Sequence, residues 1–129
     1  MKAGFRDENV ETHSLTPEQV KAFWSALDKW QAALSLTHWR IIKSPHRSKN
    51  MAEMSKWDFV QRQVSCRLGV NWGILPITEQ MIEQTAVHEL LHVLVAPLIQ
   101  AAKAGDDDAI ASEEHAVINT LERLLAPGE

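Results

Sequence analysis

The sequence predicts an α+β domain in which one helix and a small mixed β-sheet precede a buried helix and a final helix. Three observations support this fold class: an amphipathic segment that begins near residue 17, short β-branched segments between residues 38 and 77, and two long apolar segments after residue 78. The 129 residues contain neither a repeat nor a linker. We therefore expect one domain over residues 1–129, with an ordered core at about residues 16–125.

The first helix is predicted from its N-terminal signal and its apolar face. Thr16 can cap the helix, Pro17 takes the first helical position and Gln19 can complete a capping box. Apolar positions recur at intervals of three and four residues: Val20, Phe23, Trp24, Leu27, Trp30 and Leu34. We therefore expect a helix that packs on the core and ends at about Ala33 or Leu36.

The central part of the chain predicts the strands. His38–Lys43 is short, β-branched and followed by a proline, so it is predicted to be a strand, whereas residues 44–56 are polar and predict a loop or an irregular edge. Trp57–Leu68 alternates only loosely and fits either a strand of about eight residues or a helix, and we favour the strand. Ile74–Ile77 can form a short edge segment.

Two helices are predicted for the remainder. Thr78 can cap the first, and nearly every position from Met81 to Ala96 is apolar, which is typical of a helix buried in the middle of a domain. Pro97 is expected to end or kink this helix. The acidic residues 106–108 suit a helix start, and we expect the last helix over about Ala109–Leu125.

The buried helix contains a His-Glu-x-x-His pattern, His88-Glu89-Leu90-Leu91-His92. Histidines four residues apart lie on one face of a helix, so both imidazoles can bind one metal ion. Glu89 is turned by about 100° from His88, where it can activate a metal-bound water as general base instead of binding the metal. Zinc lowers the pKa of such a water to about 7. The alternative is an accidental motif whose side chains face solvent or satisfy each other.

A catalytic zinc ion usually has three protein ligands, and the final helix offers Glu113, Glu114 and His115. The apolar positions of that helix predict the face that it buries: Val117, Ile118, Leu121, Leu124 and Leu125. Glu114 is about 20° from the centre of that stripe and Glu113 about 80°, so Glu114 is the preferred third ligand. Glu113 is the alternative, because Ala116 would let its helix approach closely, and His115 lies on the opposite side.

The motif, followed by a glutamate on a later helix, resembles the gluzincin arrangement of zinc metallopeptidases, the thermolysin type. The chain is also similar to small metallopeptidases of bacteriophages and prophages, through Ala86–His92 with Ala96-Pro97-Leu98 after it and through Glu113-Glu114-x-x-Val117. A helix that runs into a tryptophan-containing strand, Leu36–Ile42, is similar to minimal gluzincins and to peptidases of mobile elements that cleave phage repressors. The resemblance covers about residues 16–125.

The resemblance implies a minimal zincin-like core, Zn²⁺ as cofactor and hydrolysis of peptide bonds in a protein or peptide substrate. His88, His92 and Glu114 would bind the metal, and Glu89 would take a proton from the attacking water and return it to the leaving amine. By the same analogy, the strand before the zinc helix, within Val64–Ile77, would bind substrate by β-augmentation.

Two departures from the family pattern support a second hypothesis. Thermolysin-type enzymes have an aspartate four residues after the glutamate ligand, and this chain has Val117 or Ile118 there. Support for the zinc histidines would then come from a backbone carbonyl or from Glu79 or Glu83. The chain also contains no tyrosine that could stabilise an oxyanion. The alternative function is a zinc-containing binding or regulatory protein with little or no hydrolytic activity.

Composition predicts the class of partner and the compartment. The net charge of −4 argues against a nucleic-acid-binding protein, because affinity for phosphate backbones comes from clustered cations. The longest uncharged apolar run, Val93–Ile99, is too short for a membrane span, and residues 1–14 are too polar for a signal peptide. A lone cysteine cannot form an intrachain disulfide. The expected compartment is the cytoplasm, or the host cytoplasm if a phage encodes the protein.

The remaining chemically active residue types are predicted to have structural roles. His13, His38 and His46 are expected at the surface, and Cys66 is expected to be a small buried hydrophobe. The five tryptophans are predicted to pack in the core and at its edge, although Trp72, between two glycines, could line a substrate cleft.

Overall fold

A computed structural model of the protein describes residues 11–125. Its elements confirm the α+β class: α1 (Pro17–Ala33), β1 (Arg40–Lys43), β2 (Ala52–Asp58), β3 (Gln63–Leu68), α2 (Glu79–Ala104) and α3 (Asp107–Leu125). α2 contacts α1, α3 and β2, so it joins the helices to the sheet. The side chains of α2 therefore lie between the other two helices and the sheet.

α1 begins as its capping signal predicts. The Thr16 hydroxyl accepts a hydrogen bond from the Gln19 backbone N–H at 3.2 Å, and the Gln19 side chain accepts one from the Thr16 N–H at 2.9 Å. These bonds satisfy N–H groups that have no partner within the helix. Phe23 and Leu27 are fully buried, and the helix ends at Ala33, which confirms the predicted helix.

The sheet is mixed and has β3 at its centre, in the order β1-β3-β2. β1 pairs with β3 in parallel, and β2 pairs with it antiparallel. Every second residue of β3 is buried, namely Val64, Cys66 and Leu68, and these side chains belong to the same apolar core as Phe23 and Leu90. The strand predicted over His38–Lys43 is confirmed as β1, which begins two residues later, at Arg40.

The prediction for the remaining strands is partly right. Residues 44–56 were predicted to be a loop or an irregular edge, and the second alternative applies from Ala52, where β2, an edge strand with a register shift, begins. Trp57–Leu68 is not one element, because β2 ends at Asp58, residues 59–62 form a turn and β3 follows. The Asp58 carboxylate forms this turn: it accepts from the N–H groups of Val60 and Gln61, both at 3.0 Å.

The segment before α2 is also irregular. Ile74–Ile77 forms no strand in the structure of residues 11–125, and Ile74 and Leu75 are exposed. The predicted edge segment is therefore wrong. The buried side chain of this region is Trp72, which packs edge-on against Phe23 at 6.4 Å between ring centroids.

α2 runs through Pro97 and ends at Ala104, so of the two predicted effects of the proline, an end or a kink, the end does not occur. Proline lacks an N–H, so the carbonyl of Val93 loses its partner within the helix. The apolar residues on both sides of the proline, among them Ala96 and Ala101, are buried, and this packing outweighs one lost hydrogen bond. The helix ends at Gly105, whose φ of 73° is a left-handed conformation that glycine adopts without strain.

α3 begins at Asp107 rather than Ala109. The cause is its cap, because the Asp106 carboxylate accepts a hydrogen bond from the Ala109 N–H at 3.0 Å. The predicted helix and its acidic start are otherwise confirmed.

By length and composition alone, α2 could cross a membrane, a property that it shares with many central helices of soluble proteins. Its buried face contacts two helices and a strand. We interpret it as the central helix of a soluble domain.

Candidate metal centre

His88 and His92 lie one helical turn apart on α2, with both side chains exposed. Their Nε2 atoms are 3.3 Å apart, and the ring planes are at 78°. A tetrahedral ion bound by two imidazoles at about 2.0–2.1 Å requires about 3.3 Å between the two nitrogens. The pair therefore has the spacing that a metal ion such as zinc needs.

Glu89 completes the group. One carboxylate oxygen and the two histidine nitrogens all lie within 4.8 Å of one another. The residue is only 5% exposed, although a carboxylate is costly to bury. The pKa of Glu89 is raised to about 7: burial is the main cause, the interaction with the Met54 backbone opposes the increase, and the negative charge of Glu53 adds to it. A carboxyl group of this pKa can both accept and donate a proton near neutral pH.

Cys66 lies in the core beneath Glu89. Its side chain is fully buried, and burial together with the charge of Glu89 raises the pKa of the thiol to about 12. The thiol is therefore neutral at physiological pH and is not a nucleophile or metal ligand. The prediction of a small buried hydrophobe is confirmed.

β2 forms the wall opposite the metal group. A cavity of about 370 Å³ lies between them, lined on the strand side by Asn50, Ala52, Glu53, Met54 and Trp57 and on the helix side by His88, Glu89 and His92. β2 is an edge strand that pairs only with β3 among the described residues. Its other edge is therefore free to pair with an extended chain.

This topology corrects the predicted substrate strand. Val64–Leu68 lies in β3, whose two edges are already paired with β1 and β2, and residues 70–77 form no strand. A strand that is already paired on both edges has no free backbone groups with which to pair another strand. β2 is the strand with a free edge beside the metal group.

α3 contributes no side chain to the group of converging donor atoms in residues 11–125. Glu114 and His115 are exposed, and Glu113 is half-buried. The predicted orientation of the helix is thus wrong: Ile118 is 51% exposed, and the packed face of α3 passes through Glu113, Val117, Thr120 and Leu121. The apolar stripe was misleading because it included Ile118 and Leu125, which face solvent.

Glu83 does not support a zinc histidine. Its carboxylate accepts hydrogen bonds from the Trp30 indole N–H at 3.1 Å and from Lys29, so it joins α2 to α1. Glu79 lines a cavity with Ala22 and Ala26 of α1, away from the histidines.

Other predicted roles can be compared directly with the structure. His13, His38 and His46 are exposed, as predicted. Trp72 is 3% exposed and belongs to the core, not to a cleft. The tryptophan beside the metal group is Trp57, which the sequence did not single out, because its orientation depends on an irregularity in β2.

Comparison of the chain with protein-family models, curated proteins and solved structures gives no match. The structural result is a group of two histidines and a buried glutamate that could hold a metal ion.

Proposed function

We propose that the protein is a zinc-dependent metallopeptidase. The observation that carries this proposal is a buried Glu89 next to two imidazole nitrogens 3.3 Å apart, beside the free edge of a strand. His88 and His92 would bind Zn²⁺. The third ligand predicted from the sequence is a carboxylate of α3, and neither Glu113 nor Glu114 belongs to the converging donor group of residues 11–125, so α3 would have to approach the histidines when the metal binds. The half-buried position of Glu113 favours it over Glu114.

When bound, a zinc ion supplies a Lewis acid and makes a water molecule nucleophilic near neutral pH. Beside the bound metal, Glu89 would act as general base and then as general acid: it would take a proton from the attacking water and return it to the leaving amine. In the metal-free protein the pKa of Glu89 is raised to about 7, with burial as the main cause. The backbone of Met54 lies beside this carboxylate on the strand side.

The substrate in this proposal is a protein or peptide in an extended conformation. An extended segment can add to the free edge of β2 through main-chain hydrogen bonds and so pass directly over His88 and His92. The proposed setting is the cytoplasm, and nucleic acid is not among the proposed partners, since the net charge is −4.

Cleavage of a peptide pool by zinc-loaded protein tests the function. Wild type should cleave, and Glu89→Gln should retain zinc and lose at least about 100-fold in cleavage rate, because the proton acceptor is missing. Glu122→Gln, at an exposed glutamate of α3, is the matched control and should cleave like wild type. Cleavage that persists in Glu89→Gln with zinc bound contradicts the assignment.

A zinc-containing binding or regulatory protein is the second candidate. Two observations favour it: no α3 carboxylate reaches the metal group in residues 11–125, and the sequence contains no tyrosine. Zinc binding without Glu89-dependent cleavage of any peptide in the pool would support this function over the first.

A further inference from the structure

Trp57 leaves the side-chain alternation of β2. Ala52 and Met54 lie opposite the buried Leu68 and Cys66, so these positions of β2 face the core. Regular alternation would turn Trp57 to the other face of the sheet. Instead, Trp57 lines a cavity together with side chains of α2.

A β-bulge redirects this side chain. The register shifts between Ser55 and Asp58, and Lys56 within the shift has a left-handed backbone, with φ of 57°. That conformation is unfavourable for a lysine, because its Cβ crowds the following carbonyl. Bulges and strained residues are concentrated beside functional sites, where they re-aim a side chain. The residue re-aimed here is next to the candidate metal centre.

Trp57 and Phe59 form an aromatic wall. Their rings are stacked, with centroids 5.8 Å apart and planes at 10°, and the buried Trp39 packs edge-on against both at 5.7 Å. The opposite wall comes from α2 and consists of His92, Ala96, Ile99, Gln100 and Lys103. The enclosed volume is about 310 Å³, and Ile99 is 49% exposed although it is apolar. An apolar side chain could therefore enter beside His92.

The direction of β2 indicates on which side of the cleaved peptide bond the substrate residue in this cavity would lie. β2 runs from Ala52, which lines a cavity at His88, to Trp57, which lines the cavity at His92. A substrate that pairs antiparallel with β2 therefore places its amino-terminal half at Trp57. Antiparallel pairing is the more stable arrangement per residue.

We propose that this cavity, the Trp57 subsite, binds a large apolar side chain, aromatic or leucine-sized, on the amino-terminal side of the cleaved bond. This inference rests on the proposed peptidase function and adds a substrate specificity to it. A small substrate side chain such as alanine makes fewer methylene contacts with an apolar pocket than a large one does. We expect the cleavage rate to differ by about 10–100-fold between the two.

The test is cleavage-site mapping with zinc-loaded full-length protein and a pool of peptides in which every residue type occurs at every position. We expect a preference of at least about 10-fold for Phe, Leu or Trp over Ala, amino-terminal to the cleaved bond. Ile99→Ala should reduce this preference by about 3-fold or more, because it removes one wall. Ile118→Ala, at an isoleucine of similar exposure on α3, should leave it unchanged. Trp57→Ala should abolish it, if circular dichroism shows that the variant folds.

An apolar preference on the carboxyl side only, no apolar preference, or a preference unchanged in Ile99→Ala overturns the proposal. If the protein cleaves no peptide, the proposed function fails. A peptide-binding measurement then tests the Trp57 subsite separately. Glu89→Gln would be titrated with two octapeptides that differ only in one Phe or Ala. Binding of the Phe peptide at least about 10-fold tighter, weakened by Ile99→Ala but not by Ile118→Ala, supports the subsite, whereas equal affinities overturn it.

Discussion

The carboxylate of Glu89 on α2 faces the backbone of Met54 on β2, which is close enough to lower the pKa of that carboxyl group, and both residues line one cavity. This contact connects the edge strand of the sheet to the glutamate of the His-Glu-x-x-His motif. Glu89 therefore lies at the strand side of the two histidines, where a substrate paired with β2 would lie. The fold thus brings together the proposed proton acceptor and the proposed substrate strand.

Glu89 should destabilise the metal-free protein at neutral pH. A carboxyl group whose pKa is raised in the folded state binds a proton more tightly there than in the unfolded chain. The free energy of unfolding should therefore fall as the pH rises from about 4.5, the ordinary value, to about 7, the value for Glu89. Glu89→Gln cannot ionise and should be more stable than wild type at pH 7.5 by about 1–3 kcal/mol.

Urea unfolding of chelator-treated protein at pH 4.5 and 7.5 measures this difference. Glu122→Gln, at an exposed glutamate, should show the pH dependence of wild type. Equal stabilities of wild type and Glu89→Gln at pH 7.5 would show that burial of Glu89 carries no penalty.

The contribution of Glu53 to the free energy of unfolding should depend on pH in the opposite direction to that of Glu89. A hydrogen bond from Ser48 and the neighbouring Arg67, whose Nη2 is 2.7 Å from the carboxylate, hold the pKa of Glu53 below its usual range. A lowered carboxyl pKa stabilises the fold above the unfolded-state value, and this contribution is lost as the pH falls through the folded-state value. Glu53→Gln should reduce stability at pH 7 and have less effect below pH 4, measured by thermal unfolding. If wild type and Glu53→Gln differ in stability by the same amount at pH 7 and below pH 4, ionisation of Glu53 does not contribute to stability.

Gly69 should be required for the position of β2. A Cβ at this glycine would lie 1.5 Å from the Asn50 carbonyl oxygen, so any other residue forces the start of β2 to move. Asn50 lines the cavity at the metal group. Gly69→Ala should lower the free energy of unfolding by about 1–3 kcal/mol or more, as measured in urea. A stability within about 0.5 kcal/mol of wild type would show that β2 approaches Gly69 less closely than in this structure.

The two neighbouring glutamates of α3 should differ in their effect on zinc. Glu113 is half-buried on the packed face and Glu114 is exposed, so Glu113→Ala should weaken zinc binding by about 10–100-fold and Glu114→Ala should not. Competition with a chromogenic chelator measures both affinities. A loss confined to Glu114→Ala would restore the ligand that the sequence favoured. No loss in either variant would favour the binding-protein alternative.

Local signals in the sequence predicted α1, β1 and the metal group. The capping box at Thr16 and the spacing of His88 and His92 depend only on neighbouring residues, and both were confirmed. The Asp58 turn also has a local signal, since aspartate favours such turns, but the loose alternation around it concealed the boundary between β2 and β3.

Other features depend on tertiary packing and could not be predicted in this way. The continuation of α2 through Pro97 results from burial on both sides of the proline. The orientation of Trp57 results from a bulge at Lys56, a residue that carries no signal for a left-handed backbone. The face of α3 was misassigned because Ile118 is apolar yet exposed.

The metal content of the purified protein is the most direct test of the central claim. Protein prepared without chelator or a histidine tag would be measured by elemental analysis beside His92→Ala and, as control, His115→Ala at the exposed histidine of α3. We predict about one zinc per chain in wild type and His115→Ala, and none in His92→Ala. Wild type without zinc, or zinc retained in a folded His92→Ala, would contradict a metal centre at His88, Glu89 and His92.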